Sequence, residues 1–426
     1  MPTHNRAANL HEYPTPIIHS PPPPTHVSIG DIHGNALKLI YTLVEEGVLK
    51  LNASQYYSLY LIYLTPTEQL TQEQLLAFKE IISNATVNST QAITLIGDEL
   101  ADRGRNDYFT LLVLQKLKKS DCDIDIMLSN HSMAFMEASE EWMFDGYTKM
   151  DPRDSLEGMK YLLKHGLIEE QEIRTMVDET YIPMVKAIGY TISPDGQITL
   201  FSHAPIGLET VEALANTFGI TYKENTIQEL IQTIDAINGA INNAITNKPG
   251  ENLVALFQQE KTGVKKSKSS KTDPISVDTP LKRLTWNRAL GDELKTETAS
   301  GIKVNFVHGH IGEGAIKKNG KYITSHKNLD NNLGKFNNCF ITGWYDNGQL
   351  IVSHFTLYSS DLTKKTLTPL DIIQIQHNYN MSHANNGSLQ KTLSMKEAVS
   401  ALKPENNNNP DSHDTSPVET PSPPKI

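Results

Sequence analysis

Apolar and polar residues alternate in blocks along the chain, in an order that predicts an α/β protein. Residues 27–29 form an apolar run that indicates a short buried strand, and residues 36–46 carry apolar side chains at helical spacing. The same order returns at residues 92–96, which precede a helix at 108–117, and at residues 124–128. Strands that alternate with helices favour parallel pairing, which brings the carboxyl ends of the strands to one edge of a sheet.

The remaining patterns predict more helices and strands of the same kind. Thr71 and Asp107 are expected to cap the helices at 72–82 and 108–117. Further helices are expected at 155–164, at 169–188 and as a pair within 208–247. The second helix of the pair has an apolar stripe, formed by Ile227, Leu230, Ile231, Ile234, Ile237 and Ile241. Further strands are expected at 57–64, 198–201, 304–307, and as a hairpin at 338–344 and 349–355.

Composition separates a folded centre from two polar ends. Residues 1–25, which include a polyproline run, and residues 361–426, rich in Asn, Ser and Pro, are expected to be disordered. Between them we expect one domain at 26–360. A helical insertion at about 208–280 ends in a basic, Ser- and Thr-rich loop at 261–278.

Charge and hydropathy exclude several classes of protein. The formal net charge of −11 argues against a nucleic-acid-binding protein. No run of about 18 apolar residues occurs, so no membrane span is expected, and the polar N-terminus lacks an apolar signal-peptide core. The two cysteines, Cys122 and Cys339, are too few for a disulfide framework and are expected to be buried thiols. We therefore expect a soluble, cytoplasmic protein.

Polar side chains capable of binding metal follow the predicted strands. The strand-end set consists of Asp31, His33, Asp98, Asp102, Arg103, Asn130, His131, His203, Arg288 and His310. Carboxylates and imidazoles together suit a pair of ions such as Mn, Fe or Zn. Two ions roughly 3.5–4 Å apart hold a phosphoryl group and lower the pKa of a bound water. Arg103 and Arg288 can each hold phosphate oxygens in a forked contact.

Position suggests separate roles for four of these residues. Asp98 is placed to bridge both ions, and Asn130 offers a neutral oxygen ligand. His131 directly follows Asn130, so it can lie beside the metals and protonate a leaving alcohol, with Asp102 holding it in position. A single Asp-x-His or Asn-His pair is common by chance. Five clusters in order, each at a predicted strand end, are hard to reach by accident.

The motifs at these positions resemble the calcineurin-like metallophosphoesterase superfamily. The matching pieces are Gly-Asp-x-His-Gly at 30–34, Gly-Asp-x-x-x-Asp-Arg-Gly at 97–104, Asn-His at 130–131, Ser-His at 202–203 and Gly-His at 309–310. The Asp-Arg-Gly ending is similar to the phosphoprotein phosphatase branch, and Trp286-Asn287-Arg288 resembles the arginine segment of its small phage and bacterial members. The resemblance covers roughly residues 26–358, in pieces separated by insertions.

This resemblance implies a fold and a site. The fold would be a four-layer αββα sandwich, with two sheets flanked by helices. The first metal would be bound by Asp31, His33 and Asp98, and the second by Asp98, Asn130, His203 and His310. His131 and Asp102 would be the catalytic acid pair, and Arg103, Arg288 and Asn130 would bind substrate. Two divalent ions are implied, with Mn expected and Fe or Zn as alternatives.

The chain also departs from the family pattern. Ser132 stands where the family has a glutamate, which removes a carboxylate that supports the site. Ala204 and Pro205 replace glycines after His203, and the segment between His203 and Arg288 is long. The helical pair in this segment would overhang the site. It resembles the insertion of the Wip effector phosphatases of Legionella, which are injected into host cells.

Together these features favour a metal-dependent protein phosphatase acting on phosphoserine/threonine or phosphotyrosine. If the resemblance to effectors holds, secretion into a host cell would proceed without a classical signal peptide. A small-molecule phosphoesterase, such as a dinucleoside polyphosphate hydrolase, is one alternative. An inactive scaffold with the same fold is another. The sequence leaves the native metal, the physiological target and the oligomeric state open.

Overall fold

The computed structural model describes part of the chain. The described residues are 3–16, 26–140, 154–247, 251–263, 274–311, 317–318, 321–330, 333, 338–346 and 350–356, without the side chains of 3–7, 140, 154, 261–263, 317–322 and 338–356. They all belong to one compact unit, Met1–Ile375. The polyproline run, most of the basic loop, the hairpin turn and the polar tail lie outside the described residues.

Short strands alternate with helices along this part of the chain. The strands are β1 (Thr3–Asn9), β2 (His26–Ile29), β3 (Leu49–Lys50), β4 (Thr86–Val87), β5 (Ala92–Leu95), β6 (Ile124–Met127), β7 (Val185–Lys186), β8 (Gly189–Ile192), β9 (Ile198–Phe201), β10 (Val304–His308), β11 (Lys317–Lys318), β12 (Lys321–Tyr322), β13 (His326–Asn328), β14 (Asn338–Asp346) and β15 (Leu350–Thr356). The helices are α1 (Ala36–Glu45), α2 (Ala53–Leu64), α3 (Gln72–Asn84), α4 (Asp107–Lys119), α5 (Asn130–Glu140), α6 (Asp154–Lys164), α7 (Glu170–Met176), α8 (Ile182–Met184), α9 (Leu208–Thr217), α10 (Ile227–Thr246), α11 (Leu253–Gly263) and α12 (Pro280–Trp286). A 3₁₀ turn (Thr67–Gln69) and a π-helical turn (Val177–Tyr181) complete the set.

Two mixed sheets carry the strand ends predicted to hold the polar clusters. The larger sheet has the order β1-β14-β15-β2-β5-β6-β7, and its strands from β15 to β7 are parallel. The smaller sheet has the order β13-β10-β9-β8, in which β9, β10 and β13 are parallel. The α/β class with parallel strands is therefore confirmed.

The two sheets contact each other through apolar side chains. The ring of His26 on β2 stacks on Phe201 of β9, with centroids 5.4 Å apart. A small buried cluster lies where the strands end, formed by Ile96, Met127, Phe201, Val307 and Leu329. Because its members come from both sheets, the cluster brings the carboxyl ends of the strands together.

Most predicted elements are present, within a few residues. Thr71 caps α3 in a reciprocal box with Gln74. The apolar stripe of α10 is buried except at its first position, Ile227. Strands β14 and β15 form the expected antiparallel pair, and Cys122 is a buried free thiol.

The predicted strand at 57–64 is wrong, because this segment is the greater part of helix α2. Asn52 and Gln55 form a reciprocal capping box at its start, and that signal outweighs the β-propensity of the tyrosines. The buried side chains recur at helical spacing, at Tyr56, Leu59, Tyr60 and Tyr63.

Disorder was predicted for the whole of residues 1–25, and this is wrong for β1. Residues Thr3–Asn9 pair antiparallel with β14 at the edge of the larger sheet. The carbonyl of Leu10 then accepts a hydrogen bond of 2.9 Å from the hydroxyl of Tyr56. The pairing partner lies more than 300 residues away, so composition alone gave no signal of it.

The helix predicted at 169–188 is interrupted. Its first part is α7, which widens into the π-helical turn and then ends in α8 and β7. Pro183 lies within α8, and a proline has no N–H to continue a helical ladder. Asp107 also differs from its prediction, since Asn106 caps α4 while both oxygens of Asp107 accept from the N–H of Ala101.

The helical pair packs against the body of the fold. Asn238 of α10 accepts hydrogen bonds from the N–H groups of Ala187 and Ile188 and donates to the carbonyl of Ile188. Helix α11 contacts α5 and α12, and α9 contacts α12. None of the helices in the described part of the chain is long and apolar enough to cross a membrane.

Two glycines allow the loop after β2 to touch the loop after β5. The N–H of Gly34 donates to the carbonyl of Asp98 at 2.8 Å. A β-carbon placed on Gly104 would lie 1.5 Å from the carbonyl oxygen of Gly34. Any side chain at Gly104 therefore forces the two loops apart.

We expect Gly104→Ala to lower the free energy of unfolding by about 3 kcal/mol, because the clash is with backbone that cannot rotate away. Chemical denaturation followed by circular dichroism measures it. Gly239→Ala is the matched control: Gly239 lies within α10 with open space around it, so alanine should stabilise by about 0.5–1 kcal/mol. Equal stability of Gly104→Ala and wild type would contradict the contact.

Candidate metal centre

The loops after five strands bring the predicted ligands to one buried place. Asp31 and His33 follow β2, Asp98 follows β5, and Asn130 begins α5 after β6. The two further ligands, His203 and His310, follow β9 and β10. Each of the six predicted ligands is at most 6% exposed. Parallel strands thus assemble side chains that are distant in sequence.

Three of these residues have a strained backbone. The φ angles of His33, Asp98 and His310 are 61°, 52° and 68°, in the left-handed region. Ala101, in the same loop as Asp98, has a φ of 52°. Such conformations cost on the order of 1 kcal/mol or more in residues other than glycine, and they cluster at functional sites.

His203 lies at the centre of one group of ligand atoms. Its Nδ1 is 2.9 Å from the carbonyl of Ile96, which can only accept, so Nδ1 carries the proton. In the neutral ring, Nε2 then has a lone pair. This Nε2 lies 3.0 Å from Oδ1 of Asn130, 3.1 Å from Nδ1 of His310 and 3.3 Å from Oδ1 of Asp98. The oxygens of Asn130 and Asp98 cannot donate a hydrogen bond to this lone pair, whereas a metal ion can bind all of these atoms.

A second group of ligand atoms surrounds His33. Ligand atoms of Asp31, His33 and Asp330 lie within 4.8 Å of one another, as do those of His33, Asp98 and Asp102. Oδ2 of Asp31 accepts a 3.0 Å hydrogen bond from the N–H of His310, which links the loops of the two sheets.

The site buries several carboxylates close together. Burial, together with the nearby carboxylate of Asp330, raises the pKa of Asp31 to about 7. Although burial opposes it, Asp98 and Asp31 raise the pKa of His203. Among the described residues, Oδ1 of Asp31 and Oδ1 of Asp98 are buried and accept no hydrogen bond. Buried, unsatisfied carboxylate oxygens beside imidazole nitrogens fit divalent metal ions.

The two members of the predicted acid pair lie close together without a direct hydrogen bond. Nδ1 of His131 lies 2.6 Å from the carbonyl of Ala101, and this contact positions the ring. Its Nε2 is 3.6 Å from Oδ1 of Asp102. Burial alone would raise the pKa of Asp102, but His131, His33 and Arg103 favour its charged form and lower the pKa.

Of the two predicted phosphate-binding arginines, Arg103 turns back onto Asp102. Its Nη1 donates to both carboxylate oxygens, at 2.7 and 2.9 Å, and its side chain is more than half exposed. Asp102 therefore holds one terminal nitrogen of the guanidinium, while much of the side chain stays exposed.

The second predicted arginine, Arg288, follows helix α12 and reaches the opposite side of the site. Its Nε donates to Nε2 of His310 at 3.3 Å. Nδ2 of Asn287 donates to the carbonyl of Pro205 at 2.8 Å, and the ring of Trp286 stands edge-on to His310. The main chain at Pro205 thus anchors the segment that carries Arg288.

A buried network of hydrogen bonds surrounds Ser132, the position where the family pattern has a glutamate. Oγ of Ser132 donates at 3.0 Å to Glu99, which also accepts from the hydroxyl of Tyr181 in the π-helical turn. Ser132 contacts Ser129, whose Oγ accepts from the N–H of Asp98 at 3.1 Å. Burial raises the pKa of Glu99 to about 7, although these hydroxyl groups act against the shift. Glu99 therefore places a buried carboxyl group next to Ser132, in the loop that has lost the glutamate.

Sequence reasoning missed several residues around the site. Asp330 lies beyond the last recognisable motif, and Tyr181 comes from a segment predicted as plain helix. Glu99 stood inside a recognised motif without a role. Lys38, buried on α1, donates to the main-chain oxygen of Asp31. The one available signal was the charge of Lys38 on an otherwise apolar helix face, since buried lysines are rare.

We expect Ser132→Ala to lower the free energy of unfolding by about 1–3 kcal/mol, because the variant leaves Glu99 and Ser129 short of a buried partner. Thermal or chemical denaturation measures it. Ser139→Ala on the same helix is the control, since Ser139 makes only a local bond to the carbonyl of Met136 and should change stability by less than about 0.5 kcal/mol. If both variants cost the same, the network does not stabilise this loop.

Comparisons with known proteins agree with the motifs. The model of the family described as WipA-like, phosphatase domain, matches residues 92–335. The structure is similar to the crystal structure of the phosphatase domain from the Legionella effector WipB, with a TM-score of 0.58 and 28% sequence identity. That match covers 68% of this chain and all of the WipB chain. No curated protein sequence matches the chain significantly.

Proposed function

The chain belongs to the WipA-like phosphatase domain family, and from that premise we propose that it is a metal-dependent protein phosphatase. The observation that supports the metal most directly is the convergence of Asp98, Asn130 and His310 on the lone pair of His203. We further place the chain in the phosphoprotein phosphatase branch of the metallophosphoesterases, with the four-layer αββα sandwich of that superfamily.

The ligand set divides between two divalent ions in this proposal, with Mn preferred and Fe or Zn as alternatives. The first ion would be held by Asp31 and His33. The second would be held by Asn130, His203 and His310, and Asp98 would bind both ions. Two bound ions activate a water and stabilise charge on the phosphoryl group. The mixture of carboxylates and imidazoles suits these borderline metals.

Two arginines orient the phosphate. Asp102 holds Nη1 of Arg103, and the other N–H groups of its exposed guanidinium would bind phosphate oxygens. When Nδ1 of His310 holds a metal, the neutral ring carries its proton on Nε2 and cannot accept from Arg288. The guanidinium of Arg288 would then be available to phosphate oxygens, which would couple phosphate binding to metal binding.

His131 is the proposed acid. Its Nδ1–H is held by the carbonyl of Ala101, which leaves Nε2 to deliver a proton to the leaving alcohol. The carboxylate of Asp102, 3.6 Å from Nε2, attracts a protonated ring. The ring is partly exposed, so the leaving group can approach it.

We propose phosphorylated proteins as substrates and action inside a host cell, by analogy with the WipB effector. Helices α9–α11 form the insertion that would contribute to substrate choice. The net charge of −11 disfavours nucleic acid as a partner. The proposed domain spans about 26–360, joined by β1, and the remaining ends serve outside catalysis.

We expect hydrolysis of phosphopeptides in the presence of Mn, loss of activity with a chelator, and restoration by added Mn. Peptides carrying phosphoserine, phosphothreonine and phosphotyrosine are assayed beside diadenosine tetraphosphate. Asp31→Ala should be inactive because it removes a ligand, while Asp195→Ala, at an exposed turn, should retain activity. Cleavage of the dinucleotide alone would favour the small-molecule alternative.

We expect His131→Asn to reduce kcat by about 10²–10⁴-fold, because it removes the acid but no ligand. Steady-state kinetics measure kcat, and calorimetry measures Mn affinity, which should not change. An unchanged kcat would assign proton transfer to another group. Absence of activity in the wild type as well would favour the inactive scaffold.

A further inference from the structure

Asp330 is held rigidly beside the site by a strand of the smaller sheet. It follows β13, and it is 2% exposed. The N–H of the preceding Leu329 donates to the carbonyl of His308 at 2.7 Å, and the N–H of Asp330 donates to Oδ1 of Asn328 at 3.0 Å. A β-carbon on Gly30 would lie 1.9 Å from the carbonyl oxygen of Leu329. Glycine at position 30 therefore admits the segment that carries Asp330.

The carboxylate of Asp330 and that of Asp102 face opposite nitrogens of one imidazole. Nδ1 of His33 lies 3.2 Å from Oδ2 of Asp102, and Nε2 lies 3.4 Å from Oδ1 of Asp330. A neutral ring has one N–H and can donate to only one carboxylate. Asp102 at Nδ1 is the arrangement that orients a metal-binding histidine, and it leaves the lone pair of Nε2 directed at Asp330.

The distances fit two ligands of one ion. Metal–nitrogen and metal–oxygen bonds of about 2.1 Å at angles between tetrahedral and octahedral separate neighbouring ligand atoms by about 3.0–3.4 Å. The pair His33 and Asp330 falls in this range. Asp31, whose Oδ1 is buried without a hydrogen bond, offers a carboxylate oxygen to the same group of ligand atoms.

We propose that Asp330 is a ligand of the first metal, beside Asp31, His33 and Asp98, an inference that rests on the proposed function. The first ion then has three carboxylates and one imidazole. The second has one carboxylate, one amide and two imidazoles. Carboxylates favour harder ions and imidazoles favour borderline ones, so the two positions differ in metal preference, and Asp330 sets the difference.

Metal binding to the purified, metal-stripped protein tests this ligand directly. Calorimetry with Mn²⁺, supported by metal analysis after dialysis, should give two ions per chain for the wild type. Asp330→Asn and Asp330→Ala should bind one of them at least ~10-fold more weakly. Asp31→Asn is the positive comparison, and Asp125→Asn, which alters a partly buried carboxylate paired with Lys186, should behave as wild type.

Thermal melting separates a ligand from a structural residue. Without metal, Asp330→Asn should melt at or above the wild type, because it removes a charge that repels Asp31. The rise in melting temperature on adding Mn²⁺ should be smaller in the variant. A metal-free variant that melts lower and keeps the full rise would show a structural role and overturn the proposal.

The two proposals fail in different ways. Unchanged affinity for both ions in the two Asp330 variants would overturn this inference alone. Absence of Mn²⁺ binding in the wild type would overturn the metal-dependent function together with it.

Discussion

The site depends on one constraint: too many lone pairs and negative charges meet in a buried place. The oxygens of Asn130 and Asp98 lie within 3.3 Å of Nε2 of His203, and Asp31 and Asp98 each bury an oxygen that accepts no hydrogen bond. Burying an unpaired carboxylate costs several kcal/mol, so such an arrangement persists only if a cation or protons compensate it. Metal binding in such a site contributes to folding as well as to chemistry.

The backbone around this charge is strained, and close contacts hold it in place. His33, Asp98 and His310 have left-handed φ angles, which the fold retains because other bonds fix each loop. The loop after β2 bonds to the carbonyl of Asp98, and the loop after β10 bonds to the carboxylate of Asp31. Each strained residue is thus fixed by a loop from a different strand, and the geometry of one ligand depends on the others.

The sequence predicted those features of the fold and site that depend on residues close together along the chain. The strand-end clusters at Asp31, Asp98 and His203 were found because a strand, a polar turn and a helix lie next to each other along the chain. Strand β1 and Asp330 were missed because their partners, β14 and His33, are about 300 residues distant. The helix over 57–64 was missed for a different reason: a capping box at its start outweighed strand-like composition.

Ser132 replaces a glutamate of the family pattern, and the carboxyl group of Glu99 lies next to it. This arrangement bears on whether the chain is active. Ser132 in place of a glutamate looked like a loss, and a loss of this kind would favour an inactive scaffold. In the folded chain, the carboxyl group of Glu99 lies against Ser132, and it accepts hydrogen bonds from the hydroxyl groups of Ser132 and Tyr181. Ser129, Ser132 and Glu99 form a chain of buried hydrogen bonds that reaches the N–H of Asp98, so the loop with the departure keeps buried polar partners. Together with the complete set of predicted ligands, this network argues against an inactive scaffold.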